Sequence, residues 1–94
     1  MKYEWDEAKN ARNRDVHGVD FDLVESFEWS RALIAKDERW DYGEIRLIGY
    51  GFIGKRLYIC VYTQRPHARR IISLRKANKR EEKLYEEAIK TFDE

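Results

Sequence analysis

Residues 1–30 place apolar side chains at helical spacing and predict two short helices. Asp6 is positioned to cap the first, over residues 6–16, and Gly18 to end it. The second is expected over residues 21–29, where apolar side chains return at every third position: Phe21, Val24 and Phe27. The first helix has only a thin apolar stripe, so we expect it to depend on contacts made by Trp5.

From residue 31 the apolar period changes to two, which predicts strands. We expect four of them, over residues 31–36, 44–52, 56–63 and 69–76. Residues 37–43 are predicted to form a loop, a hairpin turn is expected at Gly54, and Pro66 falls in the turn before the last strand. Strict alternation in that strand predicts one face with Arg70, Ile72 and Leu74 and the other with Arg69, Ile71, Ser73 and Arg75.

The last predicted element is a helix over residues 79–92. Asn78 and Glu81 have the spacing of a capping box, in which each side chain accepts a hydrogen bond from the other residue's backbone N–H. Short connections between successive strands favour antiparallel pairing. The sequence therefore predicts an α+β fold in one domain, residues 1–94, with two short N-terminal helices, a four-stranded antiparallel sheet and a C-terminal helix.

Composition excludes two classes of protein. Hydrophobic residues make up 43% and charged residues 39%, which is too apolar for a disordered chain and too charged for a membrane protein. The longest apolar run, residues 57–62, is far shorter than the roughly 20 residues of a membrane-spanning helix. The charged N-terminal residues and the single cysteine favour a cytoplasmic protein, in which Cys60 is expected to be a small packed residue.

Positive charge is concentrated in one segment. Residues 65–80 contain seven lysines and arginines and no acidic residue, although the net charge of the chain is only +1. Such a segment is typical of an anion site, because arginine holds a phosphate with two parallel N–H donors. Tyr58 and Tyr62, on one face of the preceding strand, would stack on unpaired bases. These features predict an RNA-binding surface; in the alternative interpretation the arginines are solvated and pair with Glu81, Glu82 and Glu86.

Histidines and aromatic residues add further candidates. His17 ends the first predicted helix and is either a catalytic proton donor or acceptor or a capping residue. His67 is expected to be exposed in a turn, and Tyr85 is expected to belong to the core. Trp40, in the loop before the hairpin, is the aromatic residue that we expect to be exposed to RNA or to a partner protein.

The sequence does not support a metal site or a dinucleotide-binding site. Closely spaced metal ligands such as H-E-x-x-H are absent from the sequence, so no metal or other cofactor is expected. Residues 49–54 match the spacing G-x-G-x-x-G, but a strand is predicted after them where a dinucleotide site requires a helix. We interpret that match as a coincidence.

Fragments along nearly the whole chain resemble the BrnT family of toxins. The N-terminal fragment comprises Tyr3, Trp5, Asp6, Lys9, Asn13, His17, Gly18, Val19 and Phe21. The middle fragment is Gly43-Glu44-Ile45-Arg46, followed by Val61-Tyr62-Thr63. The last and most specific fragment is Arg70-Ile71-Ile72-Ser73-Leu74-Arg75-Lys76-Ala77, followed by Arg80, Glu81 and Tyr85. Two residues depart from the family pattern, Val16 where a basic residue is common and Leu74 where alanine is common.

The resemblance implies a RelE-like fold and a ribonuclease that arrests growth. It also implies an antitoxin partner called BrnA, which carries a DNA-binding domain, so that the chain would reach DNA only through a complex that represses its own operon. A homodimer or a heterotetramer with the antitoxin is expected, and contact with a membrane is not.

A ribonuclease without a metal would use the 2′-hydroxyl of the RNA as nucleophile, which requires a base, an acid and cations around the phosphate. We expect Arg75 and Arg70 at the phosphate, and Arg75 with Ser73 if only one arginine faces the substrate. The candidates for proton transfer are His17, Glu44, Glu81 and Tyr85. The candidates for holding the RNA are Lys9, Arg46, Arg69, Ser73, Lys76, Lys79 and Arg80. The alternatives are a non-catalytic RNA- or protein-binding module and a structural protein whose basic strand meets an acidic partner.

Overall fold

A computed structural model describes residues 1–93 and shows an α+β fold around a single sheet. The strands are β1 (Tyr3–Trp5), β2 (Leu33–Lys36), β3 (Leu47–Ile53), β4 (Arg56–Gln64) and β5 (Arg69–Lys76). The helices are α1 (Glu7–His17), α2 (Lys79–Asp93) and two short 3-10 helices, Phe21–Ser26 and Trp29–Arg31. The final residue of the predicted domain, Glu94, lies outside the described residues.

The sheet has five strands and is mixed, which corrects the predicted four-stranded antiparallel sheet. Its order is β1-β5-β4-β3-β2, and the four strands from β2 to β5 pair antiparallel as expected. Strand β1 lies parallel to β5, with Glu4 opposite Arg70. A strand of only three residues has no readable period, and its partner is distant in the chain, so pattern alone did not reveal it.

Three further elements differ from the prediction, and one of them is β2, which begins at Leu33 and not at residue 31. In place of the one helix expected over residues 21–29 there are two 3-10 helices, the second of which extends to Arg31. Phe27 and Glu28 separate them, and the extended backbone of Phe27 bridges to Ile53. Apolar residues at every third position match the three residues per turn of a 3-10 helix better than the 3.6 of an α-helix. Strand β3 begins at Leu47, so the loop before it covers residues 37–46.

Helix α1 is held by asparagine side chains, whereas most of its predicted apolar stripe is exposed to water. Asp6 and Gly18 cap its two ends as predicted. Asn10 and Asn13 are its buried residues. The Asn13 amide donates to the carbonyl of Leu74 at 2.7 Å, and its oxygen accepts from the Leu74 N–H at 3.3 Å. The Asn13 side chain thereby makes the hydrogen bonds that a neighbouring strand would otherwise make with the backbone at this edge of β5.

Each face of the sheet carries a core. On the first face, next to α1 and the 3-10 helices, the fully buried side chains are Phe21, Val24, Cys60, Ile71 and Leu74. On the second face, Leu57, Ile59, Ala77 and Tyr85 form a smaller buried cluster. Burial raises the pKa of the Cys60 thiol to about 12, so this cysteine is a packing residue as predicted.

Packing accounts for part of the glycine-rich match at residues 49–54. A Cβ atom on Gly51 would lie 2.6 Å from Cζ of Phe27, which no side chain tolerates. Gly54 has φ of 62° in the hairpin turn, a conformation that favours glycine. These two glycines therefore serve ring packing and a turn.

A β-bulge in β5 decides where its arginines point. Val61 pairs with Ser73 and Tyr62 pairs with Ile71, which leaves Ile72 as an extra residue in β5. The alternation of side chains resets at this residue, so Ile71 and Leu74 both face the first core. Arg70, Ser73 and Arg75 consequently share the second face. This corrects the prediction that strict alternation separates Arg70 from Arg75.

Candidate nucleic-acid interface

An open cleft occupies the part of the second sheet face next to the bulge. Its volume is about 430 Å³. Aliphatic side chains and one tyrosine form its floor: Ile48, Tyr50, Ile59, Val61 and Ile72. Polar and charged side chains complete its lining: Arg39, Arg46, Ser73, Arg75 and Glu81. The cleft thus combines an apolar surface with three guanidinium groups.

Arg75 is held at the cleft by two hydrogen bonds to Glu81. Its Nη1 and Nη2 atoms donate to the two carboxylate oxygens at 2.8 and 2.7 Å. Glu81 and Asn78 also form the predicted capping box, with reciprocal distances of 2.9 and 2.8 Å. The hydrogen bond from Arg75 lowers the pKa of Glu81, against the opposing effect of burial. Glu81 is therefore ionised at neutral pH, which fits an orienting partner of Arg75 and not a proton donor.

Arg70 lies on the same face, towards the edge formed by β1. Its Nη1 donates to one carboxylate oxygen of Glu4 at 2.9 Å, and Nε2 of His67 lies 3.0 Å from the other. The hydrogen bond from Arg70 lowers the pKa of Glu4. Sequence reasoning missed Glu4 because it missed β1. His67 is exposed in its turn, as expected, but it has this carboxylate as a neighbour.

A second, smaller cleft of about 230 Å³ lies between α1 and the bulge. Its lining residues are Lys9, Arg12, Asn13, Val16, His17, Ile72 and Ser73. Ile72 and Ser73 line both clefts, so the bulge forms the ridge between them. Arg12 was not predicted, yet its spacing from Lys9 and His17 places all three on one helical face, a signal available in the sequence.

Several predicted RNA-facing residues lie elsewhere. Arg69 is on the first face, 4.0 Å from the ring centre of Trp29, and donates to Gln64 at 2.8 Å. Tyr58 and Tyr62 are buried in the first core, so they are not available to stack on bases. Their alternation was predicted correctly, but the face to which they point is covered. Three exposed basic side chains line neither cleft: Lys76, Lys79 and Arg80.

Two proton-transfer candidates are also outside the clefts. Tyr85 belongs to the second core, and its hydroxyl donates to the carbonyl of Arg31 at 2.9 Å. Glu44 lies in the loop before β3 and pairs with Arg65 at 3.4 Å. Of the four candidates, the structure brings His17 and Glu81 to the lining of the clefts, on opposite sides of the ridge.

Neither metal ligands nor a membrane span emerge from the described part of the chain. Residues 1–93 contain no group of three or more His, Cys, Asp or Glu side chains arranged to hold a metal ion. Within the same range, neither helix has the length and apolarity that crossing a membrane demands.

Comparison with known proteins identifies the family of the chain. Residues 5–81 match the family described as ribonuclease toxin, BrnT, of type II toxin–antitoxin system. The fold is similar to the crystal structure of the Brucella abortus ribonuclease toxin, BrnT, with a TM-score of 0.68 and 26% sequence identity over 84% of this chain and 99% of that chain. A search of curated proteins found no match. The matched segment contains both clefts and the bulge between them. Because the match covers most of the sequence, the chain belongs to the BrnT family of ribonuclease toxins of type II toxin–antitoxin systems.

Proposed function

We propose that this chain is a metal-independent endoribonuclease that cleaves RNA at the ridge between the two clefts. The observation that carries this proposal is the bulge at Ile72, which puts Arg70, Ser73 and Arg75 on one face. An RNA strand that crosses Ser73 has Lys9, Arg12 and His17 on one side and Arg75 on the other. The RelE-like relationship implied by the family resemblance is part of this proposal.

In the proposed reaction the 2′-hydroxyl oxygen attacks the adjacent phosphorus and the bond to the 5′-oxygen breaks. The products are a 2′,3′-cyclic phosphate and a 5′-hydroxyl, so the proton lost from the nucleophile is balanced by one gained by the leaving oxygen. Arg75 stabilises the charge that develops on the phosphate, and Glu81 holds it in place before the substrate arrives. Arg70 holds a neighbouring part of the backbone.

His17 is the proposed proton-transfer group. Imidazole donates and accepts protons near neutral pH more readily than other side chains, and His17 lines the same cleft as Ser73. Glu81 has the role of a positioning residue, because its carboxylate is committed to Arg75 and Asn78. Tyr85 and Glu44 have no part in this scheme because they line neither cleft.

Membership of a type II toxin–antitoxin family supports the proposal that the chain binds an antitoxin protein. The chain is proposed to act in the cytoplasm and to be neutralised by a BrnA-like antitoxin, through which alone it reaches DNA. A homodimer, or a heterotetramer with the antitoxin, is the proposed assembly.

The decisive test is cleavage of single-stranded RNA by the purified chain in excess EDTA, with the ends of the products mapped. We expect cyclic phosphate and 5′-hydroxyl ends, and a cleavage rate for Arg75→Ala about 10²–10³-fold lower, the usual result of removing one preorganised charge contact. Lys90→Ala, an exposed change in α2 away from both clefts, is the matched control and should cleave at the wild-type rate.

Three outcomes would count against the proposal. A requirement for a divalent cation would remove the metal-free mechanism. An Arg75→Ala protein that cleaves within a few-fold of wild type would remove Arg75 from the site. RNA that is bound but left intact would favour the non-catalytic binding module instead.

A further inference from the structure

The loop before β3, residues 37–46, has no helix or strand, yet hydrogen bonds hold its conformation. The N–H of Asp37 donates to the carbonyl of Arg46 at 2.8 Å, which closes the base of the loop. The Asp37 side chain is 0% exposed and accepts from Nε and Nη2 of Arg39 at 2.9 and 2.8 Å. The backbone N–H of Arg39 and the Tyr42 hydroxyl also donate to it, at 3.2 and 3.1 Å. We refer to residues 37–46 as the arginine arm.

The arginine arm presents two cations to the larger cleft. Asp37 engages one edge of the Arg39 guanidinium, whose side chain is 68% exposed, so the other edge keeps N–H donors for a ligand. Arg46 lies 3.9 Å from the ring centre of Tyr42, which itself bonds to Asp37. One buried carboxylate therefore organises both cations. Among the described residues that line the cleft, Glu81 is the only acid, and Arg75 and Asn78 already occupy it.

The floor of the same cleft has a different character. Ile59 at its base is buried, but four of its residues are only partly covered: Ile48, Tyr50, Val61 and Ile72. The apolar residues of the first core are shielded from water. A volume of about 430 Å³ lies within the usual range of small-ligand sites, which are largely apolar with a few placed polar groups. A phosphate alone needs no apolar floor. A nucleobase with its phosphate needs both an apolar floor and a cationic rim.

We propose that the arginine arm and this floor form a subsite for one unpaired nucleotide of the RNA, next to the phosphate that is cleaved. The base lies on the floor near Tyr50, and Arg39 and Arg46 hold the flanking phosphates. Asp37 is the positioning residue for Arg39. A base within a duplex is paired and stacked, so the subsite selects single-stranded RNA. Only the position of the subsite next to a cleaved phosphate rests on the proposed ribonuclease function. Binding of the nucleotide does not depend on it and is measured separately.

The first measurement is fluorescence anisotropy with a non-cleavable 2′-O-methyl RNA oligonucleotide, single-stranded and as a duplex. In the single strand, each base is removed in turn to leave an abasic position. Removal of the base that occupies the floor is expected to weaken binding roughly 5- to 150-fold, the effect of losing one base–protein stacking contact. Other positions should show smaller losses, and the duplex should bind more weakly than the single strand.

The second measurement is the dependence of binding on salt for Arg39→Ala. Loss of one phosphate contact is expected to reduce the slope of log K against log salt by about 0.7 for a single strand. Lys55→Ala removes the same charge from the exposed β3–β4 turn and should leave the slope unchanged. A change that merely disturbs structure would not alter the number of counterions released.

Asp37→Asn tests positioning. It should weaken binding at least as much as Arg39→Ala, because Asp37 accepts hydrogen bonds from both Arg39 and Tyr42. The double variant should be no weaker than Asp37→Asn alone, because loss of the carboxylate already removes the Arg39 contact. If Asp37→Asn does not fold, the abasic scan and Arg39→Ala decide the question by themselves.

The outcomes separate this subsite from the proposed catalysis. If no abasic position weakens binding, or if Arg39→Ala behaves like Lys55→Ala, the subsite is overturned even where RNA is cleaved. If the binding pattern is as expected but cleavable RNA stays intact, the subsite stands and the proposed ribonuclease function fails.

Discussion

The two faces of the sheet differ in how completely they are covered, and under the proposed function the covered face serves folding and the open face serves RNA binding. The first face lies under α1 and the 3-10 helices, where Phe21, Val24 and Leu74 are 0% exposed. The second face buries Leu57 and Ile59 but opens into a cleft next to the bulge. A covered face contributes most of the apolar burial that stabilises a small domain, whereas an open face leaves cations accessible to a ligand.

The arginines of β5 show the same contrast at the level of single residues. Arg69, on the first face, packs against Trp29 and bonds to Gln64, so it contributes to structure. Arg70 and Arg75, on the second face, are oriented by carboxylates yet keep 34% and 32% of their side-chain surface exposed. Neighbouring positions in one strand therefore have different surroundings, because they point to different faces of the sheet.

The largest change in the free energy of unfolding is expected from a substitution in the core of the covered face. Phe21→Ala should lower the free energy of unfolding by about 3–5 kcal/mol, because it removes a fully buried ring and leaves a cavity. Ile72→Ala, at the ridge of the open face, should cost less than about 2 kcal/mol because part of that side chain is already in water. Urea denaturation of both proteins measures the difference, and equal losses would contradict the contrast between the faces.

A smaller effect is expected from the asparagine that joins α1 to the bulge. Asn13→Ala leaves the N–H and the carbonyl of Leu74 without this partner and should lower the free energy of unfolding by about 1–3 kcal/mol. Since the bulge places Ser73 and Arg75, cleavage by the remaining folded protein should also fall, by up to about 100-fold for a displacement near 1 Å.

Asn10→Ala is the matched control for that change. Asn10 is equally buried and accepts from the Phe21 N–H at 2.9 Å, so its loss should destabilise the fold comparably. It does not bond to β5, so the folded protein should keep its cleavage rate. Similar rates for the two variants would show that Asn13 supports stability alone.

The smallest change in stability is expected when low pH protonates Glu81 in its ion pair with Arg75. The folded pKa of Glu81 lies below its ordinary value of 4.5, so the pair contributes stability that is present above that pH and is lost as the pH falls through the folded value. The difference in unfolding free energy between wild type and Glu81→Gln should therefore be constant near neutral pH and shrink below about pH 4.5. Urea titrations at pH 7 and pH 3.5 test this; a difference that grows in acid would contradict it.

Local patterns sufficed for much of the fold. Asp6, Gly18 and the Asn78–Glu81 pair marked helix ends because capping depends on groups a few residues apart. The hairpin around Gly54 followed from alternation and a turn residue. The same reasoning predicted α1 but not how it docks: its buried face carries asparagines, and hydrophobic periodicity does not detect a helix docked by hydrogen bonds.

The candidate site was predicted only in part. Arg70, Ser73, Arg75 and His17 were predicted from charge and from resemblance, and they remain candidates; the structure brings Ser73 to both clefts. Arg39 was missed because a loop has no period to read. Tyr58 and Tyr62 were assigned to RNA because alternation shows that two residues share a face without showing what covers it.

The sequence by itself determined the α+β class, most of the strands, the capped helix ends and the concentration of cations at residues 65–80, because each depends on neighbours in the chain. Tertiary structure decided the pairing of β1 with β5, the bulge at Ile72 and the contact of Asn13 with Leu74. These depend on the register between residues that are distant in sequence, and a shift of one residue in that register moves a side chain to the opposite face of the sheet.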